Sequence, residues 1–179
     1  MLENSKNKYF IPAIVVVIFA IIAVAIFLSK RAGSKDKQVG QEELVWWKYD
    51  RGLEEAQKLQ GWTMIHFYSV DCYWCHKMED ETYQDPEVKR ILKEYFVIIK
   101  VNVNGTGKVM LEGKLTTESM VARRYEVMYL PTIGFLEPDG IFIDAIVGYK
   151  SAEDFLPILE YVTTSAYKKM KLPEFMKLK

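Results

Sequence analysis

Cysteine and histidine are scarce in this chain, with two of each among 179 residues. Two cysteines cannot staple a small disulfide scaffold, and the short Cys72-x-x-Cys75 spacing closes too small a loop to stabilise a fold much. Neither charge is in excess. The 24 Lys and Arg residues are balanced by 24 Asp and Glu, so no net field draws the chain to nucleic acid or to an acidic substrate. The basic residues are dispersed among acids, with no aromatics alternating with them as a base-stacking platform would need. No nucleic-acid partner is expected. No internal repeat is present either, which excludes a solenoid or propeller.

What is there begins with Phe10 to Leu28, an uncharged apolar run (IPAIVVVIFAIIAVAIFL). At ~1.5 Å per helical residue it roughly matches the ~30 Å hydrocarbon core of a bilayer. A helix apolar on every face has no place on a small soluble domain. The run is read as an uncleaved, single-pass membrane anchor. A cleaved signal peptide is the alternative, but its apolar core is shorter and ends in small residues, whereas this run ends in Leu28-Ser29-Lys30-Arg31. The flanking charges give little orientation. Lys6 and Lys8 precede the span, and Lys30, Arg31, Lys35 and Lys37 follow it. A reactive dithiol belongs in an oxidising compartment, so the domain is expected on the periplasmic or extracytoplasmic side.

The chain therefore divides into an N-terminal flank (1–9), the anchor (10–28), a polar tether (29–41), a folded domain (42–167) and a basic tail (168–179), expected to be solvated and frayed. Within the domain, the spacing from Glu42 to Leu59 predicts a helix closed by Gly61. Trp62 to Val70 and Phe96 to Val103 read as buried strands. Helical pieces are expected from Cys72 to about Tyr83, with Glu79, Asp80 and Glu81 solvated, and over Glu87 to Tyr95 behind an Asp85-Pro86 cap. Lys108 to Leu115 reads as a loop, and Thr117 to Tyr125 as a helix presenting Met120, Val121 and Tyr125. Pro131 to Leu136 and Ile141 to Val147 form a hairpin about Pro138-Asp-Gly140. Ser151 starts the last helix, in which Pro157 predicts a kink or a late start. The expected class is α/β: a mixed four- to five-stranded sheet flanked by helices and preceded by one transmembrane helix.

Cys72 and Cys75 fall where a buried strand turns into a helix. There, backbone N–H groups and the helix dipole stabilise a thiolate, which a free thiol of pKa ~8.5 forms sparsely near neutrality. The surrounding residues resemble the thioredoxin fold over roughly Glu42 to Ala166. The resemblance rests on Cys72-Tyr-Trp-Cys75-His76, Lys100-Val-Asn102, Leu130-Pro131-Thr132 and Gly148. Met78-Glu79-x-Glu81-Thr82 and Asp85-Pro86-Glu87-Val88 make it similar to membrane-anchored thioredoxin-related proteins carrying Cys-x-Trp-Cys-His. The resemblance implies a thiol–disulfide oxidoreductase, with reduction of protein disulfides favoured. Its only redox group is the Cys72–Cys75 pair, and its partners are disulfide-containing proteins and a thiol-electron donor.

On that resemblance Cys72 is the nucleophile and Cys75 the resolving thiol. Pro131 is cis opposite them, and Tyr73, Trp74, Leu130 and Pro131 meet the substrate. Two positions depart from the pattern. His66 stands where a buried acid usually serves the second cysteine, either as a proton acceptor supported by Lys100 or as a hydrogen-bonded core histidine. Asp71 replaces an aromatic; its carboxylate opposes the helix dipole and argues against a strong oxidant, and it is also a good N-cap. Three rivals remain: c-type haem attachment at Cys72-x-x-Cys75-His76, zinc held by the cysteines with His66 and His76, and a non-catalytic binding module.

Overall fold

The computed structural model describes residues 43–178. The anchor expected at 10–28 and the tether at 29–41 lie outside the described residues. Among the described residues no helix is long and apolar enough to cross a membrane.

Five strands form one sheet in the order β1-β3-β2-β6-β7. They are β1 (Trp46–Trp47), β2 (Trp62–Tyr68), β3 (Phe96–Asn102), β6 (Thr132–Leu136) and β7 (Phe142–Val147). Both β1 and β2 run parallel to β3, whereas β6 is antiparallel to β2 and to β7. The parallel strands are joined through helices, and the β6–β7 pair closes through a tight turn, as the pattern predicts. The helices are α1 (Tyr49–Leu59), α2 (Tyr73–Asp80), α3 (Pro86–Tyr95), α4 (Glu118–Arg124), α5 (Ala152–Thr163) and α6 (Leu172–Met176).

The sheet separates two cores, because alternate side chains of each strand point to opposite faces. Met64, Ile98, Ile133 and Phe135 pack on one face with Met78, Val88, Leu92, Phe155 and Ile158. Ile65, Phe67, Ile99, Val101 and Leu136 pack on the other with Tyr49, Val121 and Ala122. Each large apolar side chain withdrawn this fully from water contributes about 1.5–3 kcal/mol.

Several boundaries differ from the expectation. The first helix starts only at Tyr49, because Trp46 and Trp47 pair with Ile98 and Ile99 as an edge strand. It ends at Gln60, which takes the left-handed cap conformation before Gly61. Lys108 to Leu115 is not a loop. Strands β4 (Lys108–Leu111) and β5 (Lys114–Thr117) form a hairpin of their own, turned by Glu112 and Gly113 at positive φ. Met120 points outward while Val121 is buried. Ser151 caps α5, accepting from the Asp154 N–H at 3.2 Å, and the helix continues through Pro157 from its first residue. The tail also departs from a frayed end. It turns through a short 3-10 segment into α6, where Phe175 is buried against Tyr161.

Candidate active site

β2 ends at Tyr68, and the loop through Val70 and Asp71 delivers Cys72 to the N-terminus of α2. Cys72 is itself the N-cap: its Sγ accepts the N–H of Cys75 at 3.1 Å. Asp71, expected as a cap, lies one residue earlier and is exposed. The physical reason is spacing, since the side chain that reaches the N3 amide sits at the cap position itself. Cys72 and Cys75 are joined in a disulfide with 5.3 Å between their Cα atoms. Cys72 is partly exposed and Cys75 wholly buried, so only one of the two sulfurs faces an incoming molecule.

The Leu130–Pro131 bond is cis, as the resemblance implies. Antiparallel pairing sets Thr132 opposite Phe67, so the start of β6 and the end of β2 share one end of the sheet. Pro131 therefore lies at the end that carries the dithiol. Its carbonyl accepts the Gly148 N–H at 2.8 Å. Tyr73, Trp74, Met128 and Tyr129 are exposed and Leu130 half-exposed. These side chains form an apolar rim on the loops before β6 and at the head of α2. Trp74 is both rim and packing: its ring lies 5.5 Å from Tyr149, with the Lys77 ammonium over both rings. The Tyr149 hydroxyl donates to Glu81 at 2.8 Å, holding that platform in place.

Beneath the dithiol, His66 and Lys100 are register partners on β2 and β3. His66 is fully buried, with its Nδ1 2.9 Å from the Tyr83 hydroxyl. Burial pulls its pKa down to about 3, with the Lys100 ammonium and His76 adding to the fall. The Glu79 carboxylate opposes this from 3.6 Å, but Lys100 already neutralises it at 2.6 Å. Lys100 is held between Tyr68 and Trp46, its Nζ 4.4 Å and 5.7 Å from the two ring centroids.

Glu79 is the residue the pattern missed. Expected in solvent, its side chain is only 22% exposed and turns inward to Lys100 and His66. One helical turn after Cys75, it occupies the same face of α2, which was the available signal. Tyr83 and Tyr149 were likewise unassigned. The two histidines engage different groups, His66 the Tyr83 hydroxyl and His76 the Val70 carbonyl at 2.9 Å. Among the described residues no cluster of three or more His, Cys, Asp or Glu side chains is arranged to hold a metal ion.

Residues 49–163 match the family described as a thioredoxin-like domain. The chain belongs to that family. A thioredoxin from Thermus thermophilus is similar at 30% identity with a TM-score of 0.56, over 68% of this chain and 88% of that one. A solved structure titled DsbH Oxidoreductase shares the fold at 20% identity and a TM-score of 0.56, over 79% of this chain and 99% of that one. Spermatogenesis-associated protein 20 of Homo sapiens is 52% identical over 57 residues, which is 30% of this chain and 7% of that protein. The chain thus spans a small fraction of the length of the curated relatives it matches.

Proposed function

We propose that this thioredoxin-like chain is a thiol–disulfide oxidoreductase that reduces protein disulfides through Cys72 and Cys75. The observation that carries the reading is the asymmetry of the pair: a partly exposed sulfur at a helix N-cap and a fully buried one a turn further on. In the reduced form the Cys75 N–H that meets Cys72 Sγ stabilises a thiolate there. That thiolate attacks a substrate disulfide, forming a mixed disulfide and releasing one substrate sulfur as thiolate. Cys75 then attacks Cys72 Sγ, the Cys72–Cys75 bond forms, and the second substrate sulfur leaves with the electron pair. Asp71 beside the N-terminus disfavours the Cys72 thiolate and so favours a reductant over a strong oxidant.

On this reading Tyr73, Trp74, Leu130 and Pro131 receive the substrate polypeptide, and a thiol-electron donor restores the dithiol. No cofactor beyond the cysteine pair is required. Residues 10–28 anchor the domain at the extracytoplasmic face of a membrane. The test is trapping. Cys75→Ser is expected to accumulate mixed disulfides with partner proteins on non-reducing gels, whereas Cys72→Ser accumulates none. Equal trapping by both variants overturns the division of roles, and trapping by neither supports a non-catalytic binding module.

A further inference from the structure

The resolving step needs a base, because Cys75 is buried and attacks only after losing its proton. His66 is poorly placed for this. The Tyr83 hydroxyl is buried and has no printed partner other than His66 Nδ1. It therefore donates to Nδ1, since the reverse arrangement would strand a buried hydroxyl proton. Nδ1 is then an acceptor already in use, and Nε2 carries the ring proton. Nε2 faces the Glu79 carboxylate at 3.6 Å, where a bare lone pair would be repelled. Both ring nitrogens are committed.

Glu79 is differently equipped. Its Oε2 accepts from Lys100 at 2.6 Å, while its Oε1 is buried without a hydrogen-bond partner. Only Thr63 Oγ1 and His66 Nε2 share that condition among the described residues. Thr63 is on the opposite face of β2. Side chains a turn apart on a helix are neighbours, so Glu79 follows Cys75 on one face of α2.

We propose that Glu79 is the general base for Cys75, oriented by Lys100 and His66, which act as positioning residues. The assignment rests on the oxidoreductase reading above. In the step, Glu79 Oε1 takes the proton from Cys75 Sγ. The resulting thiolate attacks Cys72 Sγ of the mixed disulfide, and the Cys72–Cys75 bond forms as the Cys72–substrate bond breaks. The departing substrate sulfur carries away the electron pair and is protonated from Glu79 or solvent. The dithiol is oxidised and the substrate reduced. The titratable and charged groups facing Glu79 are His66 and Tyr68 from β2, Lys100 from β3 and Tyr83 from the segment before α3.

The experiment uses the full-length reduced chain with dithiobis-nitrobenzoate, which releases its coloured thiol in two stages. The first is attack by Cys72 and depends on reagent concentration; the second is resolution by Cys75 and does not. Glu79→Gln is expected to slow the second stage roughly tenfold to a hundredfold near neutrality. The rates of variant and wild type converge above about pH 9, past the ordinary thiol pKa of ~8.5. Glu79→Asp, which keeps the carboxylate, recovers part of the rate. Convergence at high pH separates a lost base from a damaged fold, which would not recover there. An unchanged second stage in Glu79→Gln overturns the assignment alone. So does a pH-dependent slowing confined to His66→Gln, which would move the base to His66. A wild-type chain that releases neither equivalent overturns the oxidoreductase reading together with it.

Discussion

At the level of single side chains, a buried neutral imidazole makes stability depend on pH. His66 titrates near ~6.5 when unfolded and near about 3 when folded, chiefly because burial penalises its charged form. Between those values the unfolded chain binds the extra proton. Stability is therefore fully present above about pH 6.5 and falls as pH drops, by up to roughly 1.4 kcal/mol per pH unit. The loss from this group ends near pH 3, where the folded form also protonates. Tyr83, Glu79, Lys100 and His76 are the titratable groups that face or perturb it. His66→Gln is expected to flatten this part of the profile, measured by urea unfolding between about pH 7 and about pH 4. Parallel profiles for the two proteins would contradict the buried neutral state.

At the level of elements, α1 approaches β3 so closely that Gly52 has no room for a side chain. A Cβ there would lie 2.4 Å from Ile99 Cγ1, 2.6 Å from its Cδ1 and 3.0 Å from Trp47 Cβ. Ile99 is fully buried and cannot swing away into solvent. In an exposed helix Gly→Ala would stabilise by about 1 kcal/mol, but overpacking a core typically costs about 1–3 kcal/mol. Gly52→Ala is therefore expected to destabilise the fold by about 1 kcal/mol, a reversal of sign that denaturant titration reads directly. Both effects act on the strand that carries Lys100, so helix packing and the site share one element.

At the level of the whole molecule, the face of the sheet that carries His66 and Lys100 is closed by α2, α3 and α5, and the C-terminal segment completes that core. Phe175 packs on Tyr161 with ring centroids 5.4 Å apart, and the Tyr161 hydroxyl donates to the Met170 carbonyl at 3.0 Å. Phe175→Ala removes a buried ring from a terminal helix that can relax around the gap, so a loss of about 2 kcal/mol is expected, below the range for a central core site. Hydrogen exchange should rise across residues 166–178 well before it rises in β2 and β3. Protection unchanged in that segment would mean that the ring does not hold it.

Local chemistry made much of this protein legible in its residue order. The dithiol at a strand-to-helix turn, the Asp85 and Ser151 caps, the buried strands and the β6–β7 hairpin all follow from periodicity and turn residues acting over a few positions. The β4–β5 hairpin was legible too, since Glu112-Gly113 sits between alternating apolar and polar residues, but short exposed strands give a weak signal. The single turn Trp46–Trp47 could not be told from a helix start, because only pairing with β3 makes it a strand. Glu79 shows the other limit. Helical spacing puts it on the face of Cys75, but whether that face meets water or a lysine depends on β3, which joins the site only through tertiary pairing. The dithiol and its place in the chain were determined by the sequence itself. The identity of the acid beneath it was decided by the tertiary structure, because a carboxylate turns inward only where a distant cation and donor lower the cost of removing it from water.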